Sequence, residues 1–274
     1  MLSSSEQRAA NHGMMQPDAV RQAALLLWRH WVASTRIPQL PEDCRPSNRA
    51  DGYAIQRELA STSGQPVVGW KIAATSIAGQ RHIGVDGPLV GSLLADRLLA
   101  AGACLSLAGN LMRVAEAEFA FRFARPLGRR DAPYDVDEVM DAVSELHPTI
   151  EIPDSRYEDF AQVGAAQLIA DNACASWLLV GPAVPDWRNR DLAAHTVTAY
   201  VNGAHSATGA GANVLGEPRA ALTWMVNELR VYGDGVRAGD LVTTGTCIPP
   251  VVISPGSRFR ANFGDFGMLD ALFR

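Results

Sequence analysis

Hydrophobic positions recur with two different periods along this chain, and the switch between them marks a change of architecture. From Pro17-Asp18 onward Val20, Ala23, Leu27 and Trp31 fall on one stripe at helical spacing, and Tyr53, Ile55 and Leu59 repeat it after Arg45-Pro46-Ser47. These predict a helical region over residues 17–65, preceded by a frayed Ser-, Asn- and Gln-rich tail over residues 1–16. After Pro66 the period shortens to two. Strands are predicted over residues 67–75, 116–123 and 149–152, with helices over 135–146 and 157–175. The last third alternates again over 195–201, turns at the type I′ signal Asn202-Gly203 and returns over 204–208. Pro218 then opens a helix whose stripe is Leu222, Met225, Val226 and Leu229, with Gly233 to end it. Strands over 240–244, 251–253 and 258–263 close the chain. The mixture predicts an α+β fold on a curved mixed sheet, with residues 66–274 as the main domain.

Two glutamates interrupt one of these apolar strands, Arg113-Val114-Ala115-Glu116-Ala117-Glu118-Phe119-Ala120-Phe121. Alternation places Glu116 and Glu118 on one face with Val114 and Ala120, while Phe119, Phe121 and Phe123 pack on the other. Anions so close repel, and they call for protonation, solvent or a bound cation. In Thr149-Ile150-Glu151-Ile152 the same alternation turns Glu151 away from two buried isoleucines. Three carboxylates without a clustered Cys or His favour Mg²⁺ or Mn²⁺ over zinc or copper. The plainer alternative is a half-exposed sheet whose glutamates face water.

Composition narrows the function without naming it. The 274 residues are 47% hydrophobic and 19% charged, with net charge −5 and no run of Lys or Arg, which argues against a nucleic-acid or anionic-membrane surface and for small-molecule work. Cys44, Cys104, Cys174 and Cys247 are too scattered for a zinc knuckle or a disulfide framework, so a reducing cytoplasm is expected. No stretch is long and apolar enough to span a bilayer.

Several further residues are candidates for chemistry. Lys71 lies in the apolar strand Val67-Val68-Gly69-Trp70-Lys71-Ile72-Ala73, where it serves as an acid/base if desolvated, holds a substrate carboxylate if charged, or snorkels to solvent from an edge strand. Arg156 has the fork to brace a ligand carboxylate or bind a substrate one, with a surface salt bridge as its ordinary role. Asp171-Asn172 either caps a turn or presents an amide to a ligand. In Gly245-Thr246-Cys247-Ile248-Pro249-Pro250, backbone N–H groups and the Thr246 hydroxyl are positioned to hold an anion, although Pro-rich loop geometry explains most of the pattern. His147 is close enough in sequence to reach a site at the Glu151 strand. No nucleotide-binding pattern is present.

Taken in order, Gly69-Trp70-Lys71-Ile72, Ala115-Glu116-Ala117-Glu118, Ile150-Glu151-Ile152-Pro153-Asp154-Ser155-Arg156, Ala170-Asp171-Asn172-Ala173, Gly216-Glu217-Pro218 and Ala238-Gly239-Asp240-Leu241-Val242-Thr243-Thr244-Gly245-Thr246 resemble the 2-keto-4-pentenoate hydratase branch of the fumarylacetoacetate hydrolase superfamily. The resemblance runs from about Ala50 to the C-terminus. It implies a mixed, rolled β-sandwich with a barrel-like core and an N-terminal helical cap. It also implies Mg²⁺ or Mn²⁺ on Glu116, Glu118 and Glu151, Lys71 as the catalytic lysine, and Arg156, Asn172 and Thr246 around the substrate. The implied substrate is a 2-hydroxypenta-2,4-dienoate-type acid from aromatic catabolism, hydrated to a 4-hydroxy-2-oxo acid. Decarboxylation of a 2-oxo-3-enedioate (4-oxalocrotonate type), carbon–carbon hydrolysis, or a non-catalytic 2-oxo acid or metal-binding subunit are the alternatives. A homo-oligomer is expected, with a decarboxylase or hydratase homologue as a possible pathway partner. Hydratases of this branch commonly carry an acid shortly before the glycine matching Gly91; here the stretch is Gly87-Pro88-Leu89-Val90-Gly91, with Asp86 nearby.

Overall fold

The computed structural model describes residues 15–274, so most of the expected tail over residues 1–16 lies outside the described residues. Among the described residues two helices come first, α1 (Pro17–Ala33) and α2 (Arg49–Ser63), the latter capped by the Asn48 side chain accepting from the Asp51 N–H. Their facing stripes, Ala23, Ala24 and Leu27 on one and Ile55 and Leu59 on the other, form a separate small core with Leu40, Tyr157 and Ala170.

The elements that follow are β1 (Val67–Ala73), α3 (Ile77–His82), β2 (Leu89–Leu94), β3 (Leu98–Ala100), β4 (Cys104–Leu105), β5 (Val114–Phe123), α4 (Val136–Asp141) and β6 (Val143–Ile152). Then come α5 (Ala165–Ala170), β7 (Trp177–Val180), β8 (Thr196–Val201), β9 (Ala204–Ala210), α6 (Pro218–Tyr232), β10 (Leu241–Thr246), β11 (Val251–Val252), β12 (Arg258–Asn262) and β13 (Met268–Phe273). The main sheet runs β2-β1-β10-β5-β6-β7-β3 with β11 on β5, and the second runs β4-β13-β12-β8-β9. Strands β2 and β3 stand at opposite ends of the main order, yet only Ala95–Arg97 separates them in the chain, so the sheet must curl until its ends nearly meet. Leu93 of β2 and Leu178 of β7, far apart in the strand order, accordingly share a small cluster with Ala120 and Leu241 on the inner face. The outer face, with Phe119, Phe121, Phe123 and Ile150, packs against α6 and the second sheet in the large core. This is the rolled mixed sheet that the sequence predicts.

Two predicted helices are cut short. Asp135 and Glu138 form a capping box that starts α4, but the expected helix over 135–146 stops at Asp141, because Val143 and Leu146 pair with Phe123 and Phe121 and are drawn into β6. The expected helix over 157–175 keeps only Ala165–Ala170: Gly164 precedes it at φ 81°, and Asn172, Ala173 and Cys174 turn left-handed at φ 57°, 48° and 62°. The hairpin at Asn202-Gly203 forms with both residues at positive φ, as a type I′ turn requires. Among the described residues no helix is long and apolar enough to cross a membrane.

Candidate metal centre

Alternation along β5 and β6 brings the three glutamates to one place. Glu116 stands directly opposite Glu151 across the two strands, Glu118 follows two residues on, and ligand oxygens of all three lie within 4.8 Å of one another. Glu118 and Glu151 are each 1% exposed, whereas Glu116 is half-buried and leaves the cluster a route to solvent. Lys71 reaches the cluster from β1, two strands away through β10, and its Nζ is 3.2 Å from Glu151 Oε1. The Gly245 N–H donates to Glu118 Oε2 at 3.0 Å. Glycine is required there: φ is 99°, and a β-carbon would meet the Thr75 hydroxyl at 2.1 Å.

The cluster is over-supplied with negative charge. Burial first, and then the charge of Glu151, push Glu116 up to about 7, against the pull of Lys71. Burial and the charges of Glu151 and Glu116 raise Glu118 well above the usual carboxylate range. For Lys71 burial favours the neutral amine, but the opposing charges, Glu151 foremost, prevail and hold it protonated. One ammonium does not balance three carboxylates. Among the described residues Glu118 Oε1 and both Glu151 oxygens accept no well-directed hydrogen bond although buried. Unpartnered carboxylate oxygens converging without Cys or His are the donor set of a hard divalent cation, and Mg²⁺ or Mn²⁺ fits them.

The other candidates have their polar atoms already engaged. Thr246 pairs in register with Glu118, but its hydroxyl donates to the Ile248 carbonyl at 2.7 Å. Arg156 is 1% exposed and turns its Nε and one Nη to Asp171, whose carboxylate also accepts from the Ser155 hydroxyl at 2.6 Å and the Arg156 N–H at 2.9 Å. Asn172 departs from the expectation of a ligand-facing amide: its Oδ1 accepts from the Ser92 N–H at 2.6 Å and its Nδ2 donates to the Ser92 carbonyl at 2.8 Å, clasping β2. His147 shares the face of the glutamates, opposite Ala120, but it stands four residues along β6 from Glu151 and its ring is engaged by the Gly181 carbonyl at 2.9 Å and Glu145 at 3.2 Å.

Sequence reasoning noted Gly91 only for the acid expected before it, and passed over the close packing at this glycine and the pairing of Asp171 with Arg156. Gly91 is the cross-strand partner of Lys71, and a β-carbon on it would stand 2.2 Å from the Asn172 carbonyl oxygen. The left-handed turn Asn172–Cys174 thus presses its backbone onto β2 on the face that carries the Lys71 side chain. The sequence signal was the glycine itself, beside Ser92 in a strand otherwise made of Leu and Val.

Comparison with known proteins gives one consistent answer. Residues 77–273 match the fumarylacetoacetate (FAA) hydrolase C-terminal family. The chain is 30% identical over 263 residues to a 2-keto-4-pentenoate hydratase of Burkholderia vietnamiensis (strain G4 / LMG 22486), covering 95% of this chain and 99% of that one. It is likewise 30% identical over 240 residues to a 4-oxalocrotonate decarboxylase of Pseudomonas putida, with 86% and 90% covered. Among solved structures, 4-oxalocrotonate decarboxylase from Pseudomonas putida G7, complexed with magnesium and adipate, superposes with TM-score 0.87 at 26% identity over 95% of this chain and 99% of that one. With its rolled sheet and its three converging carboxylates, the chain belongs to the fumarylacetoacetate hydrolase family.

Proposed function

We infer that this chain is a Mg²⁺- or Mn²⁺-dependent hydro-lyase of the 2-keto-4-pentenoate hydratase type, converting 2-hydroxypenta-2,4-dienoate to 4-hydroxy-2-oxopentanoate. The observation that carries this reading is a buried lysine set 3.2 Å from one of three clustered carboxylates. A divalent cation held by Glu116, Glu118 and Glu151 supplies a Lewis acid for the carboxylate and 2-oxygen of the substrate. With a cation balancing the charge of the glutamates, burial would be left less opposed at Lys71 and would favour the neutral amine that an acid/base role needs. Lys71 takes the proton of the 2-hydroxyl and returns it at C5, giving 2-oxopent-3-enoate. Water then adds across the C3–C4 double bond, its hydroxyl at C4 and its proton at C3. The half-buried side of Glu116 gives the water its approach. The four cysteines are unpaired, which supports a reducing, cytoplasmic setting.

A second reading, decarboxylation of a 2-oxo-3-enedioate, is favoured by one feature. The stretch before Gly91 carries no carboxylate and Asp86 is exposed, so no acid in that segment is placed to activate water, and loss of carbon dioxide needs no activated water. Parallel ultraviolet assays of 2-hydroxypenta-2,4-dienoate and of a 2-oxo-3-enedioate, with Mg²⁺ and with chelator, separate the two. Metal-dependent loss of the dienoate to a hydroxylated product supports the hydratase; loss of the enedioate alone, with release of carbon dioxide, replaces it by the decarboxylase; and no metal-dependent loss of either overturns both.

A further inference from the structure

A group of charged side chains lies against the far side of the sheet from the metal centre and takes no part in that chemistry. Trp177 pairs with Ile152, one step from the pair Glu151–Leu178, so its indole points to the opposite face from the carboxylates. Between this indole, the end of α1 and the turn joining β2 to β3 is a cavity of about 450 Å³, the size of a site for a small organic molecule. Neither Lys71 nor any of the three glutamates lines it.

Its most telling wall residue is Arg97. The guanidinium carbon sits 4.4 Å from the centre of the Trp177 ring and 5.5 Å from that of Trp31, within cation–π reach of both indoles. The side chain is only 19% exposed, Asp96 stands 3.3 Å from its Nε without good alignment, and Nε is buried with no hydrogen-bond partner among the described residues. A second guanidinium, that of Arg156, lies 4.0 Å over the same Trp31 ring, with Nε and one Nη already turned to Asp171. Burial, and the like charge of Arg156 against the pull of Asp96, hold Arg97 below the ordinary arginine range. Arg36 adds a third positive charge to the wall; its partner Asp154, at 2.5 Å, is also engaged by the Leu111 N–H at 2.8 Å. Arg156 is paired with Asp171 and Arg36 with Asp154, so Arg97, beside Asp96 but with its Nε unbonded, is the wall cation with most hydrogen-bonding capacity to spare.

We propose that this cavity is a second ligand site, taking a small carboxylate with a flat unsaturated body. The planar fork of Arg97 matches a carboxylate, and the indoles of Trp28 and Trp31, 5.8 Å apart, offer the body a surface that an inorganic anion has no means to use.

Benzoate serves as the probe, benzamide as its uncharged match and inorganic phosphate as an anion without a flat body. Chelator-treated protein is used so that no cation at the glutamates offers a competing carboxylate site, and binding is followed by calorimetry and indole fluorescence. The expected result is saturable binding of one benzoate per chain, weakened tenfold or more in Arg97→Gln and in Trp31→Leu, with benzamide and phosphate at least tenfold weaker than benzoate. Arg97→Gln should keep its metal-dependent turnover without benzoate, because Arg97 touches nothing in the metal centre. Absence of saturable binding, benzoate affinity unchanged in a folded Arg97→Gln or Trp31→Leu protein, or phosphate binding as tightly as benzoate overturns the proposal.

Discussion

Replacing Glu116 by glutamine isolates what the crowding of three carboxylates does to stability. In the folded chain Glu116 is pushed up to about 7, from an ordinary value of 4.5, by burial and by the neighbouring charge of Glu151. Since the folded value lies above the unfolded one, the native state keeps a proton that the unfolded chain releases across that window. The metal-free wild type is therefore at its full stability below the window and loses stability as pH rises through about 7. At roughly 1.4 kcal/mol per pH unit the gap sets a ceiling of about 3 kcal/mol, and the access of solvent to the half-buried Glu116 brings the expected figure to about 1–2 kcal/mol. Glu116→Gln carries no such penalty. Urea unfolding of chelator-treated wild type and variant checks this: between about pH 5 and about pH 8 the variant should gain about 1–2 kcal/mol relative to the wild type. Saturating Mn²⁺ at the higher pH should restore the wild type, with the cation taking the place of the proton. A stability difference that stays constant with pH would refute the reasoning.

Other perturbations test other parts of the structure. Lys71→Met should lower kcat by about 10²- to 10⁴-fold while Mn²⁺ still binds, and unchanged kcat would remove Lys71 from the reaction. Gly91→Ala places a methyl group against the Asn172 carbonyl and should destabilise by about 1–3 kcal/mol; an unshifted melting temperature would mean that the left-handed turn yields freely. Asp171→Asn leaves the Arg156 charge buried with its ion pair broken and should cost about 3–5 kcal/mol in urea unfolding, and a loss below about 1 kcal/mol would contradict the pairing.

What the sequence disclosed depended on the range of the forces involved. Glu116, Glu118 and Glu151 were legible because the period of two along a strand is a local rule, and the rule needs no knowledge of the partner strand. The stripes of α1 and α6 were legible for the same reason. The ends of α4 and α5 were not: Val143 and Leu146 suit a helix as well as a strand, and only their pairing with β5 decides between the two. Arg156 and Asn172 were read as facing a ligand because of their chemistry, yet Asp171 and the Ser92 backbone satisfy them from inside the fold. Gly245 illustrates the converse, since a backbone N–H suited to an anion was foreseen there and the anion proves to be Glu118.

The order of strands in the roll also bears on how the protein comes to be folded. Strands β5 and β6 are close in sequence and pair antiparallel, so Glu116 and Glu151 meet early, whereas β1 pairs parallel with β10, from near the other end of the chain. Closing that long loop is slow relative to the local pairing, and until it closes Lys71 has no place beside Glu151. Contact order thus favours assembly of the carboxylates before their compensating ammonium arrives. A divalent cation present during refolding would bridge that interval, acting as a template for the nascent roll before it serves any substrate.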